Sequence, residues 1–157
     1  MQKIKDLVDR LEVELVDINE GKMRLGHKLN RNGLSQMFNG GETEINSVMG
    51  GNRHEKGGSK VQQRGTGMLL YGSLINQCDF EAPGKDATGL GRWVHMVLQG
   101  EDSIKTRFVC GYNPCPSGKK ATKSSYQQHR RYFIRKEKDG TCPRTRFGQD
   151  LIQQLVQ

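Results

Sequence analysis

The chain has 157 residues, 33% of them hydrophobic and 27% charged, a length that suits one domain with a core and does not by itself indicate a second. Its formal net charge of +8 favours a polyanionic partner, and nucleic acid is favoured over a membrane because no amphipathic lipid-anchoring stretch accompanies the charge. No apolar run approaches the roughly 20 residues that span a bilayer and no signal peptide is evident, so we expect a soluble protein of the nucleus or cytoplasm.

The first sixty residues predict two helices and two strands joined by long loops. Apolar residues at helical spacing predict an amphipathic opening helix: Ile4, Leu7, Val8 and Leu11. The apolar and mainly β-branched run at 13–18 predicts a strand that ends at Asn19-Glu20-Gly21. Residues 21–60 are rich in Gly, Asn and charge, which is typical of loops, around a short helix at 34–38 and a strand at 43–49.

The middle of the chain predicts buried strands. Residues 65–71 predict a strand entered through glycines, and 73–78 fit a hairpin partner for it. Two further apolar runs, 93–98 and 104–112, flank a short turn and predict a central antiparallel hairpin. Asn113-Pro114 ends the second of them, because proline cannot supply the next ladder hydrogen bond. Tyr112 is thereby placed at a strand end.

The last third predicts two helices, 123–136 and 144–156, separated by a turn at 139–143. Strands first and helices last favour an α+β fold. The four cysteines lie at irregular spacings without a Cys-x-x-Cys pair, so reduced structural thiols are favoured over a metal site. A zinc-binding protein remains a distant alternative, with these ligands: Cys110, Cys115, Cys142 and His129.

Three patterns in chain order carry a family resemblance. They are the strand ending in Asn19-Glu20, the glycine-led strand at 65–71, and Gly91-Arg92-Trp93 leading to Val109-Cys110-Gly111-Tyr112-Asn113-Pro114. Their order is similar to that of the endonuclease/exonuclease/phosphatase family of DNase-I-like phosphodiesterases. The stretches at 62–67, 86–93 and 126–128 resemble the retrotransposon-type subgroup, and the block at 86–93 is the most specific part of the resemblance.

The resemblance implies a partial four-layer α/β sandwich of the DNase-I-like type and a metal-dependent DNA endonuclease. It implies that Glu20 binds Mg²⁺ or Mn²⁺, for which carboxylate oxygens are suitable ligands. It also implies that Tyr112 is catalytic and donates a hydrogen bond to the phosphate, where charge develops in the transition state. Arg92, at the start of a strand, is a candidate phosphate contact.

Several parts of the family pattern are missing from these 157 residues. The first family strand with its asparagine ligand would lie before Met1, and the Asp-x-Asn and Ser-Asp-His segments would lie after Gln157. A metal held by one carboxylate binds weakly, and no histidine is placed to act as general base. We therefore expect a fragment that is inactive alone, part of a retroelement polyprotein with a reverse transcriptase region.

Most of the net charge lies in residues 117–150, which hold ten Lys or Arg against three acidic residues, a difference of +7. Tyr126, Tyr132 and Phe133 are interleaved with these cations, an arrangement that suits a sugar-phosphate backbone as well as a solvated helix face. The candidate nucleic-acid contacts are Arg92, Lys119, Lys120, Lys123, Arg130, Arg131, Arg135 and Lys136. The alternative function is therefore a non-catalytic basic nucleic-acid-binding module on the same scaffold.

Overall fold

The computed structural model describes residues 10, 12–19, 45–51, 65–79, 81, 84–118 and 124–156. The chain divides into two compact units, Met1–Tyr112 and Asn113–Gln157. Among the described residues, the first unit holds two antiparallel sheets and a short helix, and the second holds two helices, which confirms the predicted α+β class. None of the helices in these ranges is both long and apolar enough to cross a membrane. The helix predicted at 34–38, and the helix predicted at 4–11 apart from residue 10, lie outside the described residues.

The first sheet has three antiparallel strands in the order β1-β3-β2: β1 (Leu15–Asn19), β2 (Ile45–Gly51) and β3 (Gly65–Tyr71). Leu15 lies opposite Leu70, and Ile45 lies opposite Tyr71. The central strand β3 is buried on both faces after its first residue. That burial explains its continuous apolar run, and the structure confirms the strand predicted there.

The second sheet has three antiparallel strands in the order β4-β5-β6: β4 (Gly84–Lys85), β5 (Trp93–Gln99) and β6 (Lys105–Gly111). Trp93 lies opposite Gly111, and Gln99 lies opposite Lys105. A short 3₁₀ turn at Glu101–Ser103 joins β5 to β6. The structure confirms the predicted hairpin, and β5, the central strand of the sheet, is buried up to its last residue, Gln99, which is exposed.

The two sheets pack face to face around one hydrophobic core. Alternate residues of the central strands point into it, as the period of two requires. The buried members are Met68, Leu70, Ile75, Cys78, Val94, Met96, Leu98 and Cys110. The backbones approach closely at Gly50, where a Cβ atom would lie 3.0 Å from Val94 Cγ1 and 3.2 Å from the carbonyl oxygen of Trp93. Leu69 and Tyr71 form a second cluster on the other face of β3.

Residues 73–78 do not form the predicted hairpin partner of β3. They contain a short helix, α1 (Leu74–Gln77), and Cys78 forms an isolated bridge with Leu98 of the other sheet. The reason is that β1 and β2 already pair with both edges of β3, so no edge remains for another strand. The helix turns the chain from the first sheet to the second.

The second unit contains α2 (Ser125–Tyr132), a π-helical turn (Phe133–Glu137) and α3 (Pro143–Leu155). Ser124 caps α2, because its hydroxyl accepts a hydrogen bond from the backbone N of Gln127 at 3.3 Å. Lys138, with φ of 57°, ends the π-helical turn, and a proline occupies the first position of α3. Both helices predicted for this part of the chain are confirmed.

We predict that Gly65→Ala lowers the free energy of unfolding by about 1–3 kcal/mol, the usual cost of overpacking. A Cβ atom at Gly65 would lie 2.5 Å from the carbonyl oxygen of Gly50, and backbone cannot move aside cheaply. Gly140→Ala is the control, because a Cβ atom there meets nothing within 4 Å. Urea denaturation of both variants checks this, and equal stabilities would contradict the close approach of β2 and β3.

Candidate functional site

The carboxyl ends of β1 and β6 meet at one edge of the two packed sheets. The Cys110 thiol lies 3.7 Å from the carbonyl oxygen of Ile18 and 3.4 Å from Asn19 Oδ1. Because β1 and β6 belong to different sheets, this contact brings the two strand ends together. Glu20 follows Asn19 in the sequence, and Tyr112 follows the last residue of β6.

Two polar residues of β1 lie on the strand face that meets the second sheet. Leu15 packs against the core between the sheets, and Asp17 and Asn19 share its face because side chains alternate along a strand. Burial, and then the charge of Asp17, raise the pKa of Cys110 to about 11. Desolvation raises the pKa of Asp17, although its side chain is exposed to solvent. The site predicted from the sequence includes neither Asp17 nor Asn19. The alternation of side chains along Leu-Val-Asp-Ile-Asn nevertheless places both on the same strand face as Leu15.

The predicted metal ligand Glu20 lies outside the described residues, as do Lys119, Lys120 and Lys123, and their roles stay predictions. Within the described ranges, no group of three or more His, Cys, Asp or Glu side chains could hold a metal ion. The structure therefore brings no support to the zinc alternative. All four cysteines are free thiols.

Tyr112 lies just beyond the β5–β6 ladder and is half-buried. Its backbone N donates a hydrogen bond of 2.7 Å to the carbonyl oxygen of Arg92. This hydrogen bond holds the backbone one residue beyond the last ladder pair, Trp93 and Gly111. The position of Tyr112 therefore depends on the loop that precedes β5.

Arg92 lies inside that loop, with its side chain 0% exposed, and not at the surface where a phosphate contact was predicted. Its backbone N and Nε donate to Asp86 Oδ2 at 3.1 and 2.9 Å, and its Nη2 donates to Asp86 Oδ1 at 2.8 Å. The guanidinium also lies over the Trp93 ring, 4.3 Å from its centroid. The geometry gives Arg92 the role of holding the loop together.

Asp86 is the centre of the loop. Besides Arg92, it accepts hydrogen bonds from the backbone N and the hydroxyl of Thr88 at 3.0 and 2.6 Å. Burial alone would raise the pKa of Asp86, but the hydrogen bonds and charge of Arg92 and the Thr88 hydroxyl hold it below its ordinary value. The carboxylate is therefore ionised at neutral pH, and its charge is balanced by the buried guanidinium.

Apart from Arg92, the predicted nucleic-acid contacts that the structure describes lie on α2 and the π-helical turn. Arg131, Arg135 and Lys136 are exposed, and Arg130 is half-buried. Arg131 Nε donates to the carbonyl oxygen of Gln127 at 3.2 Å. All four belong to the second unit, whereas Arg92 and Tyr112 belong to the first.

Cys142 is an exposed thiol at the N-terminus of α3. Its Sγ lies 3.4 Å from the Tyr126 hydroxyl. That hydrogen bond, followed by the backbone N–H groups of Arg144 and Thr145, holds the pKa of Cys142 below its ordinary value. By contrast, burial raises the pKa of Cys78. The thiolate fraction at neutral pH is therefore greater at Cys142.

We predict that Asp86→Asn lowers the free energy of unfolding by about 3–5 kcal/mol, because it leaves the Arg92 guanidinium buried without its counter-charge. The stabilisation by a carboxylate whose folded pKa is lowered is complete above its unfolded pKa of about 3.9 and is lost as the pH falls through the folded value. The difference between the two proteins should therefore shrink in acid. Denaturation across pH measures it.

Asp79→Asn is the matched control for this substitution. Asp79 pairs with Lys105 at 3.0 Å, but the lysine side chain is 56% exposed, so its loss should cost less than about 1 kcal/mol. Hydrogen exchange of the Tyr112 amide should accelerate in Asp86→Asn and stay unchanged in Asp79→Asn. Equal effects of the two variants would contradict the role given to the loop.

We predict that iodoacetamide alkylates Cys142 faster than Cys78 or Cys110 at neutral pH. Tyr126→Phe should slow the alkylation of Cys142 by about fivefold and move its pH midpoint upward, since it removes a hydrogen bond worth about 1 kcal/mol. Peptide mass spectrometry gives the rates, with Tyr132→Phe as the control. An unchanged rate in Tyr126→Phe would show that the hydroxyl does not stabilise the thiolate.

Comparisons with family models, curated proteins and solved structures found no match to this chain. The family resemblance therefore rests on the sequence motifs, and the α+β class on the observed strands and helices.

Proposed function

We propose that this chain is part of a metal-dependent phosphodiesterase domain of the DNase-I-like type, of retroelement origin, whose complete form cuts DNA. The observation that carries the proposal is the contact of Cys110 with Ile18 and Asn19, which joins the carboxyl ends of β1 and β6. The residues that follow these two strands are Glu20 and Tyr112, which match the family's metal-binding glutamate and its tyrosine. The contact supports a site shared by the two strand ends.

The packing of two antiparallel sheets on one core also supports the proposal. A sandwich of this kind is the centre of the four-layer architecture that the resemblance implies, and the complete architecture is part of the proposal. The polar side chains of Asp17 and Asn19 lie on the inward face of β1 near its carboxyl end.

In the proposed site Tyr112 donates a hydrogen bond from its hydroxyl to the phosphate as negative charge develops. Asp86 acts on Tyr112 through Arg92, whose carbonyl oxygen holds the tyrosine backbone. A bound Mg²⁺ or Mn²⁺ ion would supply positive charge at the phosphate, and Glu20 is the one residue of this chain that the family pattern assigns to it. One carboxylate holds such an ion weakly, so the chain is inactive alone.

A plasmid-nicking assay with Mg²⁺ tests the proposal. A longer protein that includes the sequence encoded on either side of this chain should nick supercoiled DNA if that sequence adds the asparagine, Asp-x-Asn and Ser-Asp-His segments. In that longer protein, Glu20→Ala should abolish nicking while the protein stays folded. Tyr112→Phe should lower the rate by about 10²-fold, the usual effect of losing one transition-state hydrogen bond.

Tyr132→Phe in the same longer protein is the control, since Tyr132 lies on α2 in the second unit. Circular dichroism should show that every variant is folded. The 157-residue chain should leave the plasmid intact. Robust nicking by that chain, or full activity of Glu20→Ala in the longer protein, would overturn the proposed site.

A further inference from the structure

The described carboxylates of the second unit share one cationic partner. Residues 124–156 contain three carboxylates, and Arg146 pairs with all of them. The distances are 3.2 Å from Nη2 to Glu137 Oε2, 3.3 Å from Nη1 to Asp139 Oδ2, and 2.8 Å from Nε to Asp150 Oδ1. One arginine therefore contacts acidic side chains of the π-helical turn, of the loop that follows it and of α3.

Five other cations of this unit make no ion pair with another described residue. We call them the basic surface: Arg130, Arg135, Lys136, Lys138 and Arg144. All are exposed except Arg130, which is half-buried. Glu137, Asp139 and Asp150 pair with Arg146, and none of the three forms an ion pair with a cation of the basic surface.

Two helices contribute to the basic surface, and they meet at Tyr126. The hydrogen bond with Cys142 and burial raise the pKa of Tyr126, while the charges of Arg130 and Arg144 oppose that shift. Arg130 on α2 and Arg144 on α3 therefore lie near the same hydroxyl. From Arg130 to Lys138 the helical rod extends roughly 10–12 Å, about three base-pair steps of duplex DNA.

We propose that the second unit binds the phosphate backbone of nucleic acid through the basic surface, and that Arg146 keeps this surface basic by holding the three carboxylates. Three of its five cations are arginines, whose planar guanidinium groups match phosphate oxygens in pairs. Of the exposed large apolar residues described in this unit, Ile134 lies beside the basic surface, whereas Ile152, Leu155 and Val156 lie near the end of α3, roughly 12 Å or more from Arg144. One apolar side chain among cations favours a phosphate backbone over a membrane, which an apolar helix face would bind. The proposal does not depend on the catalytic one.

The test is fluorescence anisotropy of the whole 157-residue protein with a labelled 20-base-pair duplex, in EDTA, at 50 to 200 mM KCl. If four phosphates are contacted, affinity should fall roughly 150-fold over this range. A second protein carries four neutralising substitutions together: Arg130→Gln, Arg135→Gln, Lys136→Gln and Arg144→Gln. Its Kd for the duplex should depend much less on salt than the Kd of the wild-type protein. The lysines of residues 119–123 are retained in every variant.

Arg146→Gln and Arg144→Gln form a matched pair, because each removes one positive charge. Arg144→Gln should reduce the slope of log Kd against log salt by about 0.9, the value for one phosphate contact. Arg146→Gln should reduce it by more, since it frees three carboxylates to pair with the basic surface. Adding Glu137→Gln, Asp139→Asn and Asp150→Asn to Arg146→Gln should restore wild-type binding.

Circular dichroism checks that each variant is folded, and the restored variant guards against simple loss of structure. The proposal is overturned if the four-cation variant keeps the wild-type slope, or if Arg146→Gln and Arg144→Gln behave alike. Binding to phosphatidylserine vesicles but not to the duplex would also overturn it, in favour of a membrane surface. If binding follows the expected pattern while the longer protein fails to nick, only the catalytic proposal fails.

Discussion

The packing of β3 against β5 is the contact on which the rest of the first unit depends. Each is the central strand of its sheet and is buried on both faces over most of its length, so most of its side chains are apolar, with Thr66 and His95 as buried polar exceptions. Because Gly50 has no side chain, Val94 can pack close to the backbone of β2. The Thr66 hydroxyl donates a hydrogen bond of 3.4 Å to the carbonyl oxygen of Gly91. The two central strands thereby set the separation at which β1 and β6 end together.

The loop before β5 shows why a charged pair is present in an apolar region. Burying an ion pair is costly in desolvation, and well-packed apolar residues would often be as stable. The Asp86–Arg92 pair does something that apolar side chains cannot do, because its directed hydrogen bonds fix the backbone at Arg92. That backbone then holds Tyr112 in place. The pair is better explained by the geometry that it imposes than by stability.

Much of the fold could be predicted because central strands and amphipathic helices leave strong patterns in the sequence. The strand Gly65–Tyr71, the β5–β6 hairpin and the two last helices belong to this class. Residues 73–78 could not be assigned correctly, since a local pattern does not show whether the edges of a neighbouring strand are occupied. The burial of Arg92 could not be predicted from the sequence either, because a charged residue at a strand start is usually solvated. Its partner, Asp86, is identified only once the loop is seen folded.

The order of strands in the first sheet bears on how the chain folds. The strands of the second sheet follow one another within residues 84–111, so their pairing closes only short loops. In the first sheet, residues 20–64 separate β1 from β3 in the sequence. Pairing these two strands therefore costs more loop-closure entropy than pairing the strands of the second sheet. We therefore expect the second sheet to nucleate folding and β1 to dock late. The edge that carries Asp17 and Asn19 would then be among the last parts of the first unit to become ordered.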